Sequence, residues 1–333
     1  MLNVRSIEHG RGTIQGIKFL IEGKDTLVIT SQSAWSSLRK LLAFGPVNVF
    51  SATSVSQKSL DELLAMSKRF KTIIGIGGGM VIDSAKYVAW ITGARLVLVP
   101  TVLSTNAFAT EAIGVRTEEG KVVYVGNSRA DKLIVDFDLL RMSPPALNYS
   151  GTVDVLSCHT ATRDWEIAVE DGVLSHPLDL QAGRKARQLV NRIDNYSEDI
   201  RELTDIGLKV LLDCLLDTAE ICQPLGHYRA EEGSEHFLFY AIEKILKRPF
   251  IHGQIVGLGI QIMSSLQVNS TNDISCVMKD IGLNITPKSM GITKDVLRQA
   301  LVDLRTYPQP WHTIIDRGIS DSFIEQTLYY LEF

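Results

Sequence analysis

Residues 75–86 read GIGGGMVIDSAK. A β-branched run, KTIIGI (71–76), leads into three consecutive glycines and then into VIDSAKYVAWIT (81–92), which has helical character. Glycine loses more backbone freedom on folding than any other residue, so Gly77, Gly78 and Gly79 are present for what they lack, a side chain. A strand, a glycine turn and a helix start aim backbone N–H groups at one point, at the positive end of a helix dipole, and this favours a phosphate. A tight strand-to-helix turn without a ligand is the other possibility. Position 80 is Met, so the GxGxxG dinucleotide pattern is incomplete. Asp83 and Lys86, three apart, suit either a local ion pair in the first helical turns or contact with a cofactor.

The same alternation extends to both sides. DTLVITS (25–31), VNVFSA (47–52), RLVLVP (95–100) and KLIVDF (132–137) read as strands, and SLDELLAMSKRF (59–70) reads as a helix between two of them. Strands alternating with helices of this length predict a parallel sheet covered by helices. After SPPALNY (143–149) the strand signal ends and helical periodicity takes over, as in DIGLKVLLDCLLDTAEIC and GQIVGLGIQIMSSLQ. The expectation is an α/β domain over 1–147 and an all-α domain over 148–333, with a cleft between them and a hinge at Ser143-Pro144-Pro145.

With 333 residues, two cores are expected. Apolar residues make up 45% and charged residues 22%, which excludes a disordered chain. The net charge of −4 argues against a nucleic-acid or membrane-surface partner. No run approaches a membrane span, and the start, MLNVRSIEHGRG, lacks the apolar core of a signal peptide. Cys158, Cys214, Cys222 and Cys276 are scattered without CxxC spacing, which suits a reducing compartment and a cytoplasmic location.

The C-terminal half holds Asp154 in GTVDVLSCHTATRDW, His236 in EEGSEHFLFYAIEKI and His252 in RPFIHGQIVGLGI, each expected near a helix start. Two imidazoles and a carboxylate suit a divalent metal of borderline softness, and three protein ligands leave a position for water or substrate. Because these residues lie far apart in the chain, spacing alone equally allows two satisfied polar histidines.

Taken together and in order, GIGGGMVIDSAK, VPTVLST (99–105), VDVLSCHTATRDW (153–165), GSEH (233–236) and HGQIV (252–256) resemble the superfamily of iron-containing alcohol dehydrogenases, glycerol dehydrogenases and dehydroquinate synthases, in particular its sn-glycerol-1-phosphate dehydrogenase branch. The resemblance spans nearly the whole chain. It implies NAD(P)H as cofactor, a dehydroquinate synthase-like fold with a Rossmann-like nucleotide-binding domain over 1–147 and a helical metal-binding domain over 148–333, and a metal held by Asp154, His236 and His252. Zn²⁺ fits that ligand set, and Fe²⁺ or Ni²⁺ would be accepted by it. It also implies that Gly77, Gly78 and Gly79 underlie the pyrophosphate, that Asp83 and Lys86 lie toward the nicotinamide, and that Thr101, Ser104 and Thr105 line the cofactor. His252 and Asn106 would stand at the reacting centre. The implied reaction is reduction of a small phosphorylated ketone, dihydroxyacetone phosphate being the family's example, by a homo-oligomer. A dehydroquinate synthase-like cyclase that uses NAD transiently, an altered polyol dehydrogenase and a catalytically altered nucleotide-binding protein are the alternatives.

The chain departs from the family pattern at three places. Asn106 occupies a loop position where relatives carry an acid; an amide hydrogen-bonds but cannot act as a general base. Cys158 follows Asp154 by four residues, where a histidine or lysine is usual, and is either a soft fourth ligand or a buried thiol. ITSQSAW (29–35) has no acid for a ribose 2′-hydroxyl, which leaves Ser31, Gln32 and Ser33 to meet a 2′-phosphate and favours NADPH. Lys121 and Arg129 suit either a substrate phosphate or the surface charges of a hairpin, with RTEEGK (116–121) as a solvated turn. His159, His9, His176 and His312 read as structural, and Trp165 and Trp311 as packing residues.

Overall fold

The computed structural model describes residues 4–117, 122–173, 175–248, 250–331 and 333. They form two compact units, Met1–Asn148 and Tyr149–Phe333. In the first, the strands are β1 (Ile7–Gly10), β2 (Thr26–Thr30), β3 (Asn48–Ser51), β4 (Thr72–Gly77), β5 (Arg95–Pro100), β6 (Ile113–Arg116), β7 (Val122–Val125) and β8 (Lys132–Asp136). Its helices are α1 (Lys18–Ile21), α2 (Gln32–Leu41), α3 (Gln57–Ser67), α4 (Gly79–Thr92) and α5 (Phe137–Arg141).

Six strands make one all-parallel sheet in the order β1-β8-β5-β4-β2-β3, and β6 and β7 form a separate antiparallel hairpin. The β-branched runs of β2, β4, β5 and β8 are buried almost throughout, as strands covered on both faces must be, whereas the edge strand β3 alternates between half-buried and exposed. Val28, Ile74, Ile76, Val97, Val99 and Ile134 pack with Ile14, Ile17, Ile21 and Leu38 into one core.

The chain runs from β2 outward to β3, then returns past β2 to β4 and continues to β5 and β8 on the other side. The neighbouring C-terminal ends of β2 and β4 are therefore where the strand order reverses, the place at which open α/β sheets take ligands. The Thr30 hydroxyl ties these two ends together by donating to the Ile76 carbonyl at 2.8 Å. The edge strand β1 carries no sequence signal of its own, whereas the hairpin lies in the region that the sequence reads as one.

The second unit is helical apart from its loops. Pro145 opens α6 (Pro145–Leu156), a position where a missing N–H costs nothing, so the proline pair starts a helix and the division between the units falls inside it. Next come α7 (Cys158–Glu170), α8 (Leu180–Asn195), α9 (Ser197–Arg201), α10 (Asp205–Cys222), α11 (Ser234–Leu246), α12 (His252–Leu266), α13 (Thr271–Ile281), α14 (Lys294–Asp303) and α15 (Asp321–Tyr330). α11 packs on α12 and α14, and α10 packs on α8 and α9. A Cβ on Gly259 would lie 2.6 Å from the Glu235 carbonyl oxygen, so α12 approaches α11 more closely than any side chain allows. Among the described residues no helix is long and apolar enough to cross a membrane.

Candidate metal centre and nucleotide turn

Within the second unit, three helices deliver Asp154, His236 and His252 to one point. One potential ligand atom from each lies within 4.8 Å of the others. His236 is in the first turn of α11 and His252 is the first residue of α12. Asp154 is instead in the last turn of α6, because that helix begins earlier than the sequence suggested. His252 Nε2 is 3.3 Å from Asp154 Oδ1, and its side chain is 25% exposed against 6% for His236 and 10% for Asp154, so the site opens on the His252 side. The Phe239 ring meets His252 edge-on at 4.6 Å and walls it.

The fully buried Glu235 organises the centre. Its Oε1 accepts from His236 Nδ1 at 2.8 Å and from the Gly233 N–H at 2.6 Å, and its Oε2 accepts from the Thr160 hydroxyl at 2.6 Å. The bond at Nδ1 leaves Nε2 as the nitrogen that could meet a metal, the arrangement in which a carboxylate orients an imidazole ligand. Asp164 holds the same helix start: Oδ2 accepts from the Ser234 N–H at 2.7 Å, while Oδ1 accepts from Gln267 Nε2 and the Ile314 N–H, both at 2.8 Å. A Cβ on Gly233 would fall 2.6 Å from Asp164 Oδ2, which explains the glycine of GSEH.

The electrostatics favour a cation. Burial pulls the His236 pKa down, but its hydrogen bond to Glu235 and the charges of Glu235, Glu232 and Asp154 outweigh this and hold it up at about 9. A site that retains a proton on imidazole that strongly has negative charge to spare, and this, with the converging donors, fits a divalent metal. Glu232 belongs to the same neighbourhood: burial raises its pKa, the charges of His236 and His252 lower it, and Glu235 and Asp154 raise it. Burial in company with the Glu235 charge pushes Asp164 up to about 6.

Cys158 is outside the three-residue cluster. It is 1% exposed, and its thiol is pushed well up by burial first and then by Glu231 and Glu235. His159 pairs with Asn269, Nε2 lying 2.8 Å from the Asn269 carbonyl, while Asn269 Nδ2 donates back to the His159 carbonyl. Trp165 is fully buried and donates to the His176 carbonyl. Arg129 is exposed, and Lys121 lies outside the described residues.

In the first unit, the glycines divide by role. A Cβ on Gly77 would sit 2.7 Å from the Val81 side chain, and one on Gly75 2.6 Å from the Ala85 Cβ, so these two let α4 pack against β4. Gly78 caps α4 without a side chain. A Cβ on Gly79 would meet nothing nearer than the Thr105 hydroxyl at 3.5 Å, so packing does not account for this glycine. Thr101 is buried at the end of β5, and its N–H donates to the Gly77 carbonyl. Ser104, Thr105 and Asn106 are half-buried on the loop that follows, and the Asn106 carbonyl accepts from the Ala109 N–H at 2.7 Å. The Ser31 hydroxyl caps α2 by accepting from the Ala34 N–H and lies 3.2 Å from the Ser33 hydroxyl. Lys86 is fully buried; its ammonium donates to the Ala107 carbonyl at 2.9 Å, to the Ala112 carbonyl, and to Asp83 at 3.5 Å.

Residues 23–144 match the family described as iron-containing alcohol dehydrogenase. A glycerol-1-phosphate dehydrogenase [NAD(P)+] from Sulfurisphaera tokodaii is 30% identical over 273 residues, 80% of this chain and 76% of that protein. The chain belongs to the iron-containing alcohol dehydrogenase family, in its glycerol-1-phosphate dehydrogenase branch. A second member of this branch, from Methanosphaera stadtmanae, is 25% identical over 95% of this chain and 93% of its own. Two solved structures share the fold. A probable glycerol dehydrogenase from Sinorhizobium meliloti has a TM-score of 0.72 at 17% identity, covering 98% of this chain and 95% of its own. Sulfoacetaldehyde reductase from Bifidobacterium kashiwanohense, solved with NAD+, has a TM-score of 0.71 at 17% identity, covering 99% and 97%.

Glu235, Asp164, Thr160 and Gln267 are the members of this candidate site that sequence reasoning missed. Glu235 and Asp164 both lie inside motif segments, GSEH and VDVLSCHTATRDW. The signal available stands in the letters of GSEH itself, a carboxylate directly beside the imidazole of a candidate ligand.

Proposed function

We propose that this protein is a metal-dependent NAD(P)H oxidoreductase that reduces dihydroxyacetone phosphate to sn-glycerol 1-phosphate. The observation that carries this is the convergence of Asp154, His236 and His252 in a chain whose relatives are glycerol-1-phosphate dehydrogenases. Those three residues are the metal ligands, and Zn²⁺ is the resident ion on this reading, since two imidazoles and one carboxylate bind it without redox chemistry. When bound, the ion supplies Lewis-acid polarisation of a ketone oxygen and the nicotinamide supplies the hydride.

The chain's own residues bind and orient. Glu235 fixes the ring and tautomer of His236, and Phe239 shields His252 from solvent on one side. Gly78 and Gly79 offer the open backbone at the N-terminus of α4 to the pyrophosphate, with Gly77 shaping the turn from behind through Val81. Thr101, Ser104 and Thr105 line the cofactor loop. Asn106 orients substrate or cofactor by hydrogen bonding and moves no proton as a base. Ser31, Gln32 and Ser33 at the end of β2 carry no negative charge, which admits the 2′-phosphate of NADPH. The nucleotide-binding and metal-binding roles fall to residues 1–147 and 148–333, and the protein works as a cytoplasmic homo-oligomer.

The test follows NADPH and NADH oxidation at their absorbance with dihydroxyacetone phosphate and Zn²⁺, against a His252→Ala control. Metal-dependent oxidation that is lost in the control is expected. Tight nucleotide and metal binding without net oxidation would remove this substrate, and nicotinamide returned unchanged during turnover of another phosphorylated sugar would favour a cyclase.

A further inference from the structure

We propose that Lys86 is a positioning residue that clamps the loop Thr101–Ala112 onto α4 and thereby fixes Asn106, without touching a bound nucleotide. An ammonium group has three N–H donors and no acceptor. Here the Ala107 carbonyl, the Ala112 carbonyl and Asp83 Oδ1 take all three. The group is fully buried, so no face of it is open to a ligand.

The two carbonyls lie at the residue after Asn106 and at the end of the loop. Ala107 directly follows Asn106, and Ala112 directly precedes β6. Asp83 extends the clamp: a Cβ on Gly114 would lie 2.9 Å from its Oδ2, so the carboxylate lies flat against the start of the hairpin. Lys86 and Asp83, one turn apart on α4, thus hold the loop just past Asn106 and at its junction with the hairpin, while its first part is held by the Thr101 N–H on the Gly77 carbonyl and the Leu103 N–H on Asn148 Oδ1. A buried cation is costly to desolvate, and here the two carbonyls and the Asp83 carboxylate offset that cost, which ties the loop to α4. The clamp itself is independent of the dehydrogenase reading; only its consequence for turnover rests on it.

Lysine labelling of the wild-type protein, read by mass spectrometry with and without NADPH, tests the first half. Lys86 should be acylated at least about tenfold more slowly than the exposed Lys71, as buried hydrogen-bonded groups react only through local opening, and NADPH should not change its rate. Labelling at the rate of Lys71 with protection by NADPH would overturn the proposal and make Lys86 a cofactor ligand. Hydrogen exchange of the nucleotide-free Lys86→Gln variant tests the second half: amides of residues 107–114 should exchange at least about tenfold faster, and unchanged exchange would overturn the clamp. In the same variant kcat should fall about tenfold or more while the dihydroxyacetone phosphate KM moves less than about threefold and Zn²⁺ affinity holds, as expected of a misplaced orienting group. A uniform loss of metal binding with activity would mark Lys86 as a general fold residue and overturn the proposal. Should the variant not fold, wild-type labelling decides.

Discussion

Glu235 and His236, adjacent in the chain, face each other across a 2.8 Å hydrogen bond from Nδ1 of the ring to Oε1 of the carboxylate. Consecutive residues on a helix normally point apart. They meet here because Glu235 folds back over the helix start to accept the Gly233 N–H, which brings its other face to the imidazole. The pair is therefore a product of the helix terminus itself, and changing it should be felt at the metal. Glu235→Gln keeps the volume but replaces one acceptor by a donor. Metal affinity should fall about 10- to 100-fold, measured by competition with a chromophoric chelator. An unchanged affinity would mean that His236 is oriented by something else.

Asp164 gives a pH signature. Its pKa is raised from an ordinary 3.8 to about 6, so between those values the folded state holds a proton that the unfolded state has lost. This contribution to stability is full below about pH 4 and is lost as pH rises through about 6, a loss of about 3 kcal/mol for a shift of that size. Urea unfolding of the metal-free protein across pH 4–7, compared with Asp164→Asn, should show wild-type stability falling relative to the variant as pH rises. Parallel curves would show that the carboxylate titrates alike in both states.

The two glycine roles separate by substitution. Gly77→Ala drives a methyl into Val81 and should destabilise by about 1–3 kcal/mol, with Val81→Ala as a second change restoring most of the loss. Gly79→Ala meets no such clash and should stabilise α4 slightly, by up to about 1 kcal/mol. Yet Gly79→Ala should weaken NADPH binding about tenfold or more if a phosphate approaches that backbone. Thermal melts and fluorescence titration read the two effects apart, and full nucleotide affinity in Gly79→Ala would remove the phosphate from this turn.

Gly253 sets the position of His252. A Cβ there would lie 2.4 Å from the Ser150 carbonyl oxygen, and the Ser150 hydroxyl accepts the Gly253 N–H at 2.9 Å. Gly253→Ala must push the start of α12 off α6, at a cost of about 1–3 kcal/mol. Zn²⁺ binding should weaken with it, since His252 and Asp154 ride on those two helices. Calorimetric titration of the variant checks this, and native affinity would show that the ligands follow the displacement.

The parallel sheet was legible because its central strands are buried on both faces and spell themselves as unbroken β-branched runs. The edge strand β1, IEHG, carries a single β-branched residue and is defined only by pairing with β8, so nothing local marks it. Asp154, His236 and His252 came from motif order; their spacing says little, because three separate helices bring them together. The support from Thr160, Asp164 and Gln267 is invisible at the level of pattern, being made of contacts between distant segments. Lys86 shows the same limit: its partners are carbonyls, which every residue has, and no side-chain spacing announces them.

The pairing of β1 with β8 also bears on how the molecule is made. Ile7 aligns with Leu133 and Gly10 with Asp136, and the Arg5 N–H donates to the Ala130 carbonyl. The ribosome delivers the N-terminal strand first, but its seat does not exist until the last strand of the sheet has left the exit tunnel. Throughout that interval, about 6–25 s at ordinary rates of synthesis, the leading segment remains outside any fold. The strand β1 is thus one of the last parts of the first unit to be put in place.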